Sequence, residues 1–323
     1  MTAAPPADAV SRFRRDLEAL AGPADRLALA VSGGPDSLAL LLLAQAAFPG
    51  RVEAATVDHG LRPESADEAK GVARLCAELG VPHRGLSARV ERAGEGLQAA
   101  ARDARYAALA EWMTARGLGL LLTAHHADDQ AETLLMRLNR GSGVAGLAGV
   151  RASRPVPGTA GPLRLCRPLL GWRRNELERI AAGAGVEAAL DPSNRDEAFD
   201  RARLRRQMAE APWLDAAALA RSATLLAEAE AALEWTAGRL YEAKAEAGEG
   251  GVTLRPDGLP AELVRRLVLR CLREVTPDAA PRGEQLADLI ARLRSGGAGT
   301  LCGVKASGGG TWRFEAAPAR RRR

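Results

Sequence analysis

Along the first half of the chain, compact apolar runs alternate with longer stretches in which apolar residues recur at helical spacing. Leu27 to Val31 is apolar throughout and ends at Ser-Gly-Gly-Pro, and Ser37 to Ala47 is apolar at helical length. Strand, tight glycine turn and helix follow one another there. The pattern recurs. Val52 to Val57 reads as a strand, and Ser65 to Leu79 as a helix with acids early and Arg74 late, as the helix dipole favours. Val81 to Leu86 is a third strand, weakened by Pro82. Leu97 to Arg116 reads as a helix, Leu118 to Thr123 as a strand and Ala127 to Leu138 as a helix, and a short amphipathic helix over Ser11 to Leu20 precedes them all. Such alternation predicts an α/β fold, a parallel sheet covered by helices on both faces. Ligands of such sheets bind beyond the carboxyl ends of the strands.

The second half reads differently. Glycines 141, 143, 146 and 149, then prolines 155, 157, 162 and 168, suggest a functional loop and a short extended segment. Asn175 to Ala184 is helical, and Asp191-Pro-Ser-Asn194 is turn chemistry. Ala216 to Ala247 reads as a long connecting helix, ended by Gly248-Glu-Gly-Gly251. A small α+β module follows, with a strand near Val252 to Leu254, helices over 261–275 and 283–294, and a glycine-rich hairpin pattern from Gly296 to Phe314. The basic tail, Arg320 to Arg323, is expected to be disordered. This division predicts a catalytic domain over 1–215, a connecting helix over 216–247 and a small terminal domain over 248–323.

Composition narrows the function. The 323 residues carry a net charge of +5, so any nucleic-acid surface must be local. Of 45 basic residues only Lys70, Lys244 and Lys305 are lysines, so nearly every cation is a planar fork suited to phosphate and carboxylate. Aromatics make up 3%, too few for a binder of single strands built on stacked rings. No apolar run reaches the ~18 residues of a membrane span, and no export leader opens the chain. Cys76, Cys166, Cys271 and Cys302 stand far apart with no Cys-x-x-Cys pair, which argues against a zinc ribbon, a cysteine-ligated cluster or a disulfide scaffold. A cytoplasmic protein away from membranes is expected.

The chemistry gathers at the strand ends. In Ser32-Gly33-Gly34-Pro35-Asp36-Ser37, glycines let backbone N–H groups approach phosphate oxygens and a helix start supplies further donors. Ser32 and Ser37 can add hydroxyls, and Asp36 can hold magnesium against the phosphates. The segment is neither a Walker loop nor Gly-x-Gly-x-x-Gly. Asp58 and His59 leave the second strand and are expected near this turn. The fourth strand delivers His125-His126-Ala-Asp128-Asp129-Gln-Ala-Glu132-Thr133, where Asp128 and Glu132 share one helix face and Asp129 and Thr133 another. Carboxylates beside a phosphate site point to metal coordination or capture of a cation, and the order lacks the His-Glu-x-x-His of zinc peptidases. Arg102 and Arg105 could meet phosphate or a base, or belong to a solvated helix face. Ten arginines fall between 164 and 206, and Arg201-Ala-Arg203-Leu-Arg205-Arg206 alternates charge with small or apolar residues.

Ser-Gly-Gly-x-Asp-Ser after a first strand resembles the pyrophosphate loop of the N-type ATP pyrophosphatases. Val-Asp-His-Gly-Leu-Arg, Ala-Arg-Asp-Ala-Arg-Tyr, His-His-Ala-Asp-Asp-Gln-Ala-Glu-Thr, Arg140-Gly-Ser-Gly143, Arg167-Pro-Leu-Leu170 and Asp191-Pro-Ser-Asn194 follow in order. Together they resemble the tRNA(Ile)-lysidine synthetase family, closely over 25–215 and more weakly beyond, where the module resembles that family's first carboxyl-terminal domain. The larger second carboxyl-terminal domain of some members is expected to be missing.

The resemblance implies a reaction. ATP would adenylate the O2 oxygen of the wobble cytidine of tRNA(Ile) with anticodon CAU, and pyrophosphate would leave. Free L-lysine would then attack carbon 2 and AMP would depart, so that the tRNA reads AUA and is charged with isoleucine. It implies ATP and Mg2+ as cofactors, tRNA and lysine as partners, and a possible homodimer. ATP would be bound by Ser32, Gly33, Gly34, Pro35, Asp36, Ser37, Asp58 and His59, with Asp36 also the metal ligand. Asp36, His125, Asp128 and Asp129 are the catalytic candidates, with His125 or a carboxylate the base for the attacking amine. Asp128, Asp129 and Glu132 are candidates for holding lysine or metal. Arg102, Arg105, Arg195, Arg201, Arg203, Arg205 and Arg206 are candidates for meeting tRNA. Rival readings are a cytidine thiolase, which would normally need a Cys-x-x-Cys pair, an amidotransferase-type synthetase, which would need an ammonia source, and a nucleotide sensor without catalysis.

Overall fold

The computed structural model describes residues 2–21, 26–58, 64–88, 97–159, 161–185 and 200–318. They fall into two compact units that divide between Ala227 and Glu228, within a long helix. In the first unit, α1 (Ala7–Ala21), β1 (Leu27–Ala30), α2 (Pro35–Ala47), β2 (Val52–Asp58), α3 (Glu64–Glu78), β3 (His83–Ser87), α4 (Leu97–Arg116), β4 (Leu120–Leu122) and α5 (Ala127–Asn139) alternate as the periodicity predicts. Then come α6 (Val144–Leu147), β5 (Ser153–Pro155), β6 (Arg164–Cys166), α7 (Arg174–Gly183), α8 (Asp200–Ala209) and α9 (Ala216–Lys244).

The sheet has the order β3-β2-β1-β4-β6-β5, parallel except for β5, which runs antiparallel on β6 at the edge. Its centre is the all-apolar β1, with Leu27 opposite Val52 and Ala28 opposite Leu121. α2 is apolar on every side because every side is covered: Leu38 to Ala44 are all buried, and the helix packs on β1, β2, α1 and α7. Burying one such leucine contributes roughly 1.5–3 kcal/mol. The other face is closed by α4, whose Tyr106, Leu109, Trp112 and Met113 meet Leu121 and Leu165. Pairing on β3 starts after Pro82, which lacks an N–H to give the ladder.

Two expectations are corrected here. The arginine-rich stretch read as an alternating track is a helix, α8, so Arg201 and Arg205 stand one turn apart on one face. The long helix stops at Lys244 instead of Ala247, because Ala245–Gly248 forms a strand, β7, paired with β8 (Gly251–Leu254). Glu249 and Gly250 make the two-residue turn between them. Gly251 has φ +121°, and a Cβ there would meet the Phe314 carbonyl oxygen at 2.0 Å, so only glycine fits.

The second unit continues with α10 (Ala261–Val275), α11 (Gly283–Arg294), β9 (Ala298–Leu301), β10 (Val304–Ser307) and β11 (Trp312–Ala316). Its antiparallel sheet has the order β7-β8-β11-β10-β9. Leu267, Cys271, Leu289 and Leu293 from the helices pack with Leu254, Val304 and Phe314. Residues Glu230 and Glu234 at the second-unit end of α9 hold Arg266 of α10. That guanidinium is 3% exposed, binds both Glu230 oxygens at 2.9 and 2.6 Å, reaches Glu262 at 2.8 Å and also meets Glu234. Removing one partner of a buried pair strands the other. Arg266→Ala, which leaves Glu230 buried without its cation, is expected to destabilise the second unit by about 3–5 kcal/mol, read from urea unfolding of the full chain. A loss under about 1 kcal/mol would show the cluster to be solvated.

Candidate active site

β1 ends at Ala30, and Ser32-Gly33-Gly34 turns the chain into α2. Gly33 makes the turn with φ +91°, where an L side chain is strained. Gly34 caps the helix in an extended conformation, and a Cβ there would meet only Ser32 Oγ at 3.8 Å. Gly34 is therefore not demanded by packing. The Ser37 hydroxyl gives its one proton to the Gly34 carbonyl at 2.9 Å and accepts from the Ser32 N–H at 3.2 Å. It ties the turn together internally, and the exposed Ser32 donates its own hydroxyl to it at 3.3 Å.

Asp36, in the first turn of α2, meets a residue that sequence reasoning passed over. His126 caps α5, is 1% exposed, and sets Nε2 3.4 Å from Asp36 Oδ2 and 3.6 Å from Asp129 Oδ2, with Nδ1 3.6 Å from Asp128 Oδ2. Burial works to lower its pKa, but contact with Asp128 and Asp36 and the charge of Asp129 overcome this and push it up to about 9. His126 is a buried imidazolium at neutral pH. Its neighbour His125 is the opposite case. Burial, together with the charges of Arg167, Arg102 and Arg201, outweighs Asp129 and pushes it down to about 3. Thr123 Oγ1 lies 3.0 Å from its Nδ1. A histidine so weakly basic is a poor general base near pH 7, which counts against that role for His125. The signal for His126 was the pair itself: the second histidine stands where the helix begins.

The three carboxylates of α5 differ. Asp128 accepts from Arg173 twice at 3.3 Å and from the Arg174 N–H at 2.8 Å, so it holds the start of α7. Burial raises its pKa, but His126, the Arg174 N–H and Arg173 prevail and hold it well below the carboxylate range. Glu132 is 2% exposed and bound by Arg205 at 2.8 and 3.3 Å, with Arg174 at 3.5 Å. Neither is an open carboxylate. Asp129 accepts the His126 N–H at 3.1 Å and takes no arginine hydrogen bond among the described residues.

α7 is itself anchored from the first helix. Arg12 lies 4.1 Å over the Trp172 ring, donates to the Gly171 carbonyl at 2.7 Å and to Glu176 at 3.0 Å, while Asp16 accepts the indole N–H at 2.8 Å. The Trp172 carbonyl in turn accepts the Ala127 N–H at 2.8 Å, at the first turn of α5.

Of the remaining candidates, Asp58 is the half-buried last residue of β2, at the same carboxyl edge. Arg201 donates to Thr133 at 3.2 Å and Arg205 faces Glu132, so both look toward α5 and not away from it. Arg203 and Arg206 are exposed on α8, and Arg102 and Arg105 on α4. His59 and Arg195 lie outside the described residues. Among the described residues, no group of three or more His, Cys, Asp or Glu is arranged to hold a metal unaided, and no helix is long and apolar enough to cross a membrane.

The family model of the PP-loop domain (ATP_bind_3) matches residues 9–211. The tRNA(Ile)-lysidine synthase of Novosphingobium aromaticivorans is 51% identical over 97% of this chain and 95% of its own length. The chain belongs to the tRNA(Ile)-lysidine synthase family. The Zymomonas mobilis member is 46% identical over 92% of this chain and 90% of its own. Among solved structures, the U34-tRNA thiolase NcsA from Methanococcus maripaludis with its [4Fe-4S] cluster shares the fold, with a TM-score of 0.54 and 15% identity over 68% of this chain and 79% of that one. The matched domain is an ATP-binding one, and the loop after β1 lies within it.

The role of Asp128 in this family member can be separated from ligand binding. Its native pKa is below the unfolded value, so its contribution is complete at neutral pH and drains away only on strong acidification. Asp128→Asn is expected to cost about 1.5–3 kcal/mol of stability at pH 7, with the gap to the parent narrowing below pH ~4, as measured by urea unfolding without ligands. An equal gap at both pH values would refute this.

Proposed function

We propose that the chain joins free L-lysine to carbon 2 of the wobble cytidine of tRNA(Ile) with anticodon CAU, at the expense of ATP. The cytidine O2 attacks the α-phosphorus of ATP, the bond to the β-phosphate breaks, and pyrophosphate leaves. The lysine ε-ammonium gives up a proton to solvent, the amine forms a bond to carbon 2, the bond from carbon 2 to the adenylated oxygen breaks, and AMP carries that oxygen away. Adenylation turns a poor leaving group into a good one. The observation that carries this reading is the loop after β1, with an aspartate locked beside it by a buried imidazolium, in a chain half identical to a tRNA(Ile)-lysidine synthase.

The roles follow from the contacts. The backbone N–H groups of Gly33, Gly34, Asp36 and Ser37 and the amino-terminal end of α2 stabilise charge on the leaving pyrophosphate. Asp36 Oδ1 is buried and has no hydrogen-bond partner among the described residues, a hard oxygen donor beside a phosphate loop. That suits Mg2+, which is held through one or two carboxylates shared with phosphates rather than in a protein cage. Asp36 would hold it, and when bound it would neutralise charge on the departing pyrophosphate. Asp129, which takes no arginine hydrogen bond among the described residues, is the carboxylate best placed to receive the lysine ammonium, whereas Asp128 and Glu132 serve the framework.

Incubation with ATP, Mg2+, labelled lysine and the CAU tRNA should place label in the tRNA with equal amounts of AMP and pyrophosphate. Release of ADP would overturn the scheme. Asp36→Ala is expected to lower turnover by about 10²-fold or more. Gly34→Ala is expected to keep stability within about 1 kcal/mol of the parent while raising the KM for ATP, since the added methyl has room in the protein but projects where backbone and phosphate must approach. A normal KM for ATP in that variant would remove the loop from nucleotide binding.

A further inference from the structure

Several arginines near the site are matched to carboxylates, whereas three that meet none among the described residues gather in one place. Arg167 follows β6 directly, Arg154 lies in the edge strand β5, and Arg102 is on α4; all three gather about Tyr106. The Arg102 guanidinium is 5.1 Å from the Tyr106 ring centroid, with one nitrogen 3.4 Å from the phenol oxygen, and the Arg154 guanidinium is 5.9 Å from the same centroid. Arg167 is 1% and Tyr106 4% exposed, while Arg102 forms an open rim. Among the described residues none of the three meets a carboxylate. Arg167 donates to the Arg151 carbonyl, yet its Nε and that of Arg154 are buried without a hydrogen-bond partner. Burial, then the like charges of Arg154 and Arg102, depress the basicity of Arg167.

Buried cations with unmet donors are costly, and a fold that gathers them gains only when an anion arrives. The cluster stands at the carboxyl edge of the sheet, where Arg167 and Arg102 also act on His125. β6 is two strands from β1, about 10 Å, which sets this cluster to one side of the loop after β1 and leaves room for a second anion there. We infer that Arg102, Arg154 and Arg167 around Tyr106 form a pocket for one backbone phosphodiester of the tRNA, beside the nucleotide being modified. The planar forks suit such a group. The inference rests on the reading that tRNA is the substrate, and it assigns to RNA binding two residues, Arg154 and Arg167, outside the expected set.

The test measures binding of a CAU tRNA(Ile) transcript from 50 to about 300 mM KCl, with ATP kinetics alongside. Arg167 is too deeply packed to remove safely, so the variants are Arg154→Gln, Arg102→Gln and Arg154→Lys. Each glutamine variant is expected to weaken tRNA binding several-fold and to make the dependence of log affinity on log salt shallower, by at most about 0.7–0.9, the share of one phosphate. The KM for ATP should not move, and Arg154→Lys should keep the parental salt slope. An unchanged tRNA affinity and slope in both glutamine variants would overturn the pocket. A raised KM for ATP with normal tRNA binding would reassign it to the nucleotide and equally overturn it. Failure of the parent protein to bind the transcript is a separate result, and sinks the substrate reading itself.

Discussion

The site is organised around one buried positive charge. His126 stands between the carboxylate of Asp36 on α2 and those of Asp128 and Asp129 on α5, each within 3.4–3.6 Å of a ring nitrogen. Without that charge, three carboxylates would face one another in a medium that screens them poorly. With it, the amino-terminal ends of two helices can converge at the edge of the sheet, and both ends favour the negative groups placed there. The glycine turn and the acidic helix thus become one site because a protonated imidazole links them. The carboxylates it joins in turn favour its protonation.

Much of this architecture was legible in the chain. The spacing of apolar residues located β1 to β4 and nearly every helix, because burial on a two-layered scaffold leaves that signature in sequence, whereas β5 and β6 lie in the stretch read as a loop and a short extended segment. Ser32 to Ser37 announced a phosphate loop because turn geometry and helix start are both local properties. What could not be read was pairing at a distance. Glu132 looked like an open carboxylate, but its partner Arg205 lies 73 residues away on a helix that the arginine pattern concealed. Ser37 looked like a ligand donor, but its proton is taken by a carbonyl three residues back. Of two adjacent histidines the second marks the helix start, but the carboxylates it joins come from two helices far apart in the chain. The strand after α9 was hidden because alanine and glutamate favour the helix, and only the pairing of β7 with β8 prevails over that preference.

The arginines divide by environment, not by sequence. Arg173, Arg174 and Arg205 neutralise carboxylates and fasten α5, α7 and α8. Arg266 does the same for the second unit. In so arginine-rich a chain these structural forks disguise the few that have no acidic partner. Distance to the nearest carboxylate is the property that separates them.

The seat of Trp172 has a practical side. The stack of Arg12 on that indole and the Asp16 hydrogen bond beneath it are the points where α1 reaches the loop that steadies α5. A shortened version of the protein begun after residue 21 would keep all six strands of the main sheet but uncover the face of α2 that Phe13 and Leu17 bury. It would also lose the wedge under α5, so trimming this amino terminus to aid crystallisation or to append a fusion partner would alter the edge of the sheet as well as the core.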